Sequence, residues 1–339
     1  MITISLCMIV KNEERVLRRC LDSVADLVEE LIIVDTGSTD ATMEIAASYP
    51  NAKVYEFEWI QDFSAARNFA FSKATREYIY SADADEVLDA ENRERFRLLK
   101  QALLPEIEIV QMKYGNQLQF GTVYNYDEEY RPKLFKRLRT FTWEEAIHET
   151  IRTTPVIYDS DIVITHLPEQ SHAGRDFLAF ERLTKKGERL SKRLQNMYAK
   201  ELFISGRDED FWQAEDYFKM SADDPARDDE ETREACLVVA AAANRAGDVV
   251  TFFKYATKVL ISEGCAEICC ELGDFYFKNG DYAEAALWYY NACYETEAVL
   301  ALRCQGEETI EKLALCYDKM DLPEEAALYR TKLAENKSV

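Results

Sequence analysis

Four short apolar runs in the first 82 residues, separated by stretches with helical spacing, restrict this chain more than any other feature. Ile2 to Val10, Glu30 to Val34, Lys53 to Phe57 and Glu77 to Ala82 have strand composition. The first two are continuous apolar runs, as strands buried on both faces should be. Between them, Glu13 to Ala25 places Val16, Leu17, Cys20, Leu21 and Val24 at helical intervals. Ala41 to Ser48 follows the turn Asp35-Thr36-Gly37-Ser38-Thr39-Asp40, which is rich in N-cap residues, and Phe63 to Ala74 reads as a third helix. This alternation predicts an α/β fold with a doubly wound, mostly parallel sheet.

Each predicted strand exits into polar residues: Lys11-Asn12-Glu13, Asp35, Gln61-Asp62 and Asp83-Ala84-Asp85. All four exits fall at one carboxyl edge, where open α/β sheets bind ligands. The last exit matters most. Residues i and i+2 of a strand point the same way, so once the chain leaves the strand Asp83 and Asp85 can converge on one cation. Hard oxygen ligands suit Mg²⁺ or Mn²⁺, with a nucleotide diphosphate on the far side of the ion. The plainer alternative has both carboxylates only capping a helix that begins near Ala90. No G-x-G-x-x-G or Walker sequence is present, so ordinary dinucleotide and P-loop readings lack support.

A length of 339 residues allows two domains. A formal net charge of −22 argues against a nucleic-acid partner and against adhesion to anionic membranes; an acidic surface suits a basic peptide or is simply a solvated face. No apolar run approaches the ~20 residues of a membrane span, and Met1 to Val10 reads as a strand because it lacks a basic leader. Nine scattered cysteines show no paired zinc spacing, so buried free thiols in a reducing cytoplasm are expected.

A helix is predicted over Glu91 to Leu104, then strands at Ile107 to Tyr114, Gln117 to Tyr124, Lys133 to Arg139 and Asp161 to Ile164, the last running into Thr165-His166. From about Ala173 the chain turns to amphipathic helices. Leu272-Gly273, Tyr276, Gly280-Asp281-Tyr282, Ala285, Tyr289 and Ala292 match tetratricopeptide spacing, and turns recur at Gly206, Gly247, Gly280 and Asp321. The predicted organisation is an α/β domain over 1–170, a linking helix over 171–195 and an all-α repeat domain over 196–339, whose concave surface would dock a partner or pair with a second copy.

Four ordered segments carry a resemblance. They are Ser5-Leu6-Cys7-Met8-Ile9-Val10-Lys11-Asn12-Glu13-Glu14, Ile32-Ile33-Val34-Asp35-Thr36-Gly37-Ser38-Thr39-Asp40, Asp62-Phe63-Ser64-Ala65-Ala66-Arg67-Asn68 and Ser81-Ala82-Asp83-Ala84-Asp85-Glu86. Residues 1 to about 170 resemble a family 2 glycosyltransferase of the GT-A fold. Arg131, Leu134-Phe135, Trp143 and Ile147-His148-Glu149, joined to the repeats, resemble a branch that includes bacteriocin S-glycosyltransferases and cell-envelope sugar transferases.

The resemblance implies a UDP-sugar donor and Mn²⁺ or Mg²⁺. Asp35 is then expected to bond the uracil, with Glu13 beside base and ribose and Val10, Asn12 and Ala84 completing the donor site. Arg67 is expected on the uracil or phosphates, oriented by Asp62. Asp83 faces ribose and metal, and Asp85 ligates the metal. Family 2 enzymes invert at the anomeric carbon, which requires a base on the acceptor side. Glu149 is the expected base, and His148 the expected third metal ligand or diphosphate contact.

Each assignment has a plainer counterpart. Glu149 could be a solvated acid or pair with Arg131 or Arg152, and His166 is open between a metal-site and a structural role. His172 reads as a loop residue and Glu86 as a helix cap. Arg131 and Lys133 could clamp phosphate or sit on the surface, and Trp143 could wall the sugar site or the core. The leading expectation is an inverting, metal-dependent transferase acting on a peptide or protein. Its alternatives are a transferase for envelope or lipid-linked saccharide and a non-catalytic repeat scaffold.

Overall fold

The computed structural model describes residues 1–115, 129–139, 143–144, 150–151, 155–167, 173–187 and 189–336. By its contacts the chain divides into two compact units, Met1–His172 and Ala173–Val339.

The first unit alternates as β1 Ile4–Val10, α1 Leu17–Val24, β2 Glu30–Asp35, α2 Thr42–Ala47, β3 Ala52–Glu56, α3 Phe63–Lys73 and β4 Tyr78–Ser81. There follow β5 Glu86–Val87, α4 Ala90–Ala102, β6 Ile109–Gly115, β7 Glu129–Lys136, the short β8 Trp143–Glu144 and β9 Thr150–Ile151, and β10 Ile157–His166. The main sheet has the order β3-β2-β1-β4-β7-β6-β10-β5, and β8 and β9 form a separate antiparallel pair. Pairings β3-β2-β1-β4 and β6-β10 are parallel, while β7 runs against β4 and β6, and β5 against β10. Most strands therefore point one way, in a mixed sheet.

Alternation along β1 explains the layers. Ile4, Leu6, Met8 and Val10 face one side, with Leu17, Cys20, Leu21 and Val24 of α1, Ala46 of α2 and Phe96 of α4. Cys7 faces the other side, against Ala70 and Phe71 of α3 and Phe135 of β7. The four α1 residues recur at i, i+3, i+4 and i+7, one helical stripe, and burying each leucine contributes ~1.5–3 kcal/mol.

Two expectations need amendment. The strand at Lys133 begins earlier, at Glu129, and gives way to a 3₁₀ turn at Arg137–Arg139. The strand at Asp161 starts at Ile157, and β5 directly after Asp85 was not foreseen. The strand expected at Gln117 to Tyr124 lies outside the described residues.

The second unit is helical: α5 Ala173–Lys185, α6 Lys192–Ser205, α7 Asp208–Ala222, α8 Asp229–Ala246, α9 Val249–Glu263, α10 Ala266–Lys278, α11 Tyr282–Tyr294, α12 Glu307–Lys319 and α13 Pro323–Asn336. Gly206, Gly247, Gly280 and Asp321 sit between α6 and α7, α8 and α9, α10 and α11, and α12 and α13, as the repeat spacing predicts. Asp321 holds φ 61°, a left-handed value in a non-glycine residue. Every residue from Glu234 to Asn244 of α8 is buried, and the Ala240–Ala243 run lets neighbouring helices approach closely. All nine cysteines are free thiols, seven of them buried.

Candidate active site

Val10 and Asp35 pair at the ends of β1 and β2, so both loops leave the sheet side by side. Asp35 is 3% exposed. Its Oδ2 accepts the backbone N–H groups of Gly37 and Ser38, each at 2.9 Å. Gly37 has φ 101°, a conformation that favours glycine and turns both donors toward the carboxylate. The other oxygen, Oδ1, is buried and accepts no hydrogen bond among the described residues. Asn12, at φ 56°, ties the loops together. Its N–H donates to Ser38 Oγ at 2.9 Å, and its Oδ1 accepts from Thr39 N at 2.8 Å. Glu13 N donates to Thr42 Oγ1 at 2.7 Å. Val10, Asn12, Glu13 and Asp35 thus come together around one ionisable oxygen suited to a buried N–H donor.

Asp62 caps α3, accepting from Ala65 N at 3.0 Å and Ser64 Oγ at 2.7 Å. That cap sets the start of the helix that carries Arg67. Arg67 Nη2 donates to Asp83 Oδ1 at 2.9 Å and Nη1 to Ser81 Oγ at 3.2 Å. Burial works to raise the Asp83 pKa, but the Arg67, Lys133 and Arg131 cations outweigh it and hold the carboxyl well below the usual range.

Ala84 is buried, and beyond it the backbone of Asp85 is fixed by Leu167 N, which donates to the Asp85 carbonyl at 3.0 Å. Asp85 Oδ2 lies 3.1 Å from His166 Nε2. The structure therefore brings His166, at the end of β10, to the D-x-D turn. Neither Asp83 nor Asp85 caps α4; Asp89 does, accepting from Asn92 N at 2.8 Å.

Beneath this turn lies a cluster that sequence reasoning largely missed. The buried Tyr114 ring sits 5.2 Å from the His166 ring and carries the Arg131 guanidinium at 3.9 Å and Lys133 Nζ at 5.2 Å from its centroid. Arg131 Nε also donates to Glu129 Oε1 at 2.9 Å. Lys133 is buried and bonds Glu86 Oε1, so its expected choice between phosphate clamp and surface is superseded. Glu86, expected as a helix cap, is instead buried against Lys133 at the start of β5. Burial pushes its pKa up to about 7, Lys133 opposing and Asp83 adding to the rise. The only sequence signal for the cluster was Lys133 two residues from Arg131, on the same face of a strand.

His148, Glu149, Glu145, Arg152 and His172 lie outside the described residues, and of Trp143 and Glu144 only the strand backbone is described. Among the described residues no group of three metal-ligating side chains is present. One carboxylate and one imidazole, Asp85 and His166, do converge. Such a mixed oxygen and nitrogen pair would fit a divalent ion such as Mn²⁺.

Residues 5–161 match the model of glycosyl transferase family 2. Over 88 residues the chain is 52% identical to a TPR repeat-containing protein of Synechococcus elongatus, covering 26% of this chain and 22% of that protein. It is 40% identical over 92 residues to the SPbeta prophage-derived glycosyltransferase SunS of Bacillus subtilis, covering 27% and 22%. A lipopolysaccharide core biosynthesis glycosyltransferase, LpsC of Rhizobium meliloti, is 30% identical over 156 residues, covering 44% and 56%. The match spans about a fifth of the first two proteins and little more than half of the third. Among solved structures, glucosyl-3-phosphoglycerate synthase from Mycobacterium tuberculosis is 15% identical with a TM-score of 0.39, covering 56% of this chain and 82% of that one. The chain thus carries a glycosyl transferase family 2 domain over residues 5–161, followed by a tetratricopeptide-like helical unit.

Proposed function

We propose that this chain transfers a sugar from a UDP-sugar to a peptide or protein with inversion at the anomeric carbon, using a divalent ion held by Asp85 and His166. The observation that carries the reading is the meeting, at one carboxyl edge, of Asp35 with a buried acceptor oxygen, the Arg67–Asp83 pair and the Asp85–His166 pair. Asp35 Oδ1 would accept the imide N–H of uracil. Asp83, kept ionised by Arg67, faces the ribose. Asp85 and His166 hold the ion, Mn²⁺ in preference to Mg²⁺, which neutralises charge on the departing diphosphate. Glu149 is the proposed base on the acceptor side, with His148, Arg131 and Trp143 near the sugar and diphosphate. The helical unit supplies the acceptor surface or a dimer contact, and a net charge of −22 favours a basic acceptor. Among the described residues no helix is long and apolar enough to cross a membrane. A cytoplasmic setting suits nine free thiols.

A screen of UDP-sugars by thermal shift, with Mn²⁺ and with EDTA, tests the donor site. UDP should raise the melting temperature more with Mn²⁺ than with EDTA, and Asp85→Asn should abolish the Mn²⁺-dependent part of that gain while folding normally. No shift with any nucleotide would sink the reading. The likeness to LpsC favours a second acceptor class, envelope saccharide. Labelled-sugar transfer to lipopolysaccharide core, with none to basic peptides, would decide for it.

A further inference from the structure

The D-x-D segment is a bridge. Residues 82–85 join β4 to β5, which pairs with β10, through a tight turn in which Glu86 N donates to the Asp83 carbonyl at 3.2 Å. Its far end is held by β5, where Glu86 pairs with His166 in register. The Glu86 side chain turns inward to Lys133 of β7, the strand beside β4. One ion pair therefore ties the distal foot of the bridge to the strand next to its proximal foot. Lys133 also lies against Tyr114, whose ring packs on His166.

This pair is a poor source of stability. Its side chains are 7% and 2% exposed, and Glu86 Oε2 is buried without a hydrogen-bond partner among the described residues. Desolvating two charges generally offsets their attraction, and a well-packed apolar pair of similar volume is often as stable. What the pair does fix is geometry. Tyr114 and Glu86 reach His166 and Asp85 from below and from the next residue, and both lead back to Lys133.

We infer that Lys133, paired with Glu86, is a positioning residue that holds the bridge so that Asp85 and His166 converge on the metal side of the donor site. The inference rests on the proposed donor reading. It predicts a division of labour: loss of the pair weakens the metal-dependent part of nucleotide binding and spares the base side around Asp35, which shares no hydrogen bond with the pair among the described residues.

The test uses the full chain. The Kd for Mn²⁺ at saturating UDP is measured by electron paramagnetic resonance, and the Kd for UDP in EDTA by calorimetry. The variant is Glu86→Gln with Lys133→Met, which leaves no unpaired buried charge; Tyr114→Leu, which removes the plate under His166 without touching a charge, serves if the double variant does not fold. The Mn²⁺ Kd should rise at least fivefold while the UDP Kd in EDTA stays within twofold. An unchanged Mn²⁺ Kd, or an equal loss in both measurements, overturns the inference. Failure of the unsubstituted chain to bind Mn²⁺ with UDP would instead remove the donor reading itself.

Discussion

Asp35 divides its carboxylate between two tasks. One oxygen closes its own turn through Gly37 and Ser38; the other is buried and accepts no hydrogen bond among the described residues. A buried carboxylate oxygen without a donor is costly, so a ligand N–H gains strongly by meeting it. Asp35→Asn puts an amide where one oxygen was. Either the turn loses its acceptor or the ligand meets a donor. UDP affinity is expected to fall tenfold or more, about 1.4 kcal/mol, in EDTA and Mn²⁺ alike, whereas Asp85→Asn should act only with Mn²⁺. Calorimetry of the two variants separates base side from metal side, and a metal-dependent loss in Asp35→Asn would refute the division. Asp35, Asp83, Asp85 and Arg67 were readable because each sits in a short motif at a strand exit. Lys133 was not, because its partner lies 47 residues away and only the order of strands brings them together.

At the scale of elements, α3 is the piece that aims Arg67, and Asp62 starts it. Cap and ligand contact make different predictions. Asp62→Ala removes the cap and should cost about 1 kcal/mol of stability; Asp62→Ser keeps a capping oxygen. If Asp62 acts only through the helix, Asp62→Ser binds UDP like the unsubstituted chain. A tenfold loss in Asp62→Ser would mean that Asp62 touches the nucleotide. In the helical unit, Gly273 is a fixed point of the repeat. A Cβ there would stand 2.6 Å from the Tyr289 ring, whose hydroxyl donates to Asp274. Gly273→Ala should therefore destabilise that unit by roughly 1–3 kcal/mol, read as a lower melting temperature. The parallel half of the sheet and the helix pairs were legible, since periodicity and turn residues are local signals. The reversed β7 and the two-residue β5 were not, because antiparallel insertion and edge pairing leave no period to read.

For the whole molecule, acidity sets how stability follows pH. Glu201 and Glu234 are buried, and burial pushes each carboxyl from 4.5 up to about 7, against bonds from Ser205 and Asn196. Between those values the folded chain binds more protons than the unfolded one, so stability falls as pH rises, and above about 7 the loss is complete. Glu30 acts oppositely. Burial would raise its pKa, but bonds from Lys53, Ser5 and Thr75 lower it to about 2, so its contribution is present above 4.5 and lost as pH falls toward 2. The two trends together place the stability maximum near pH 5, on the acid side of neutrality. Melting of the helical unit should occur at higher temperature at pH 5 than at pH 8. Glu234→Gln isolates one source. At pH 5 the carboxyl is already protonated and the variant should melt like the parent. At pH 8 it removes a buried negative charge, a gain on the order of 3 kcal/mol for that shift. Equal melting of variant and parent at both pH values would show that Glu234 reaches water when ionised, and the acid-side maximum would need another origin.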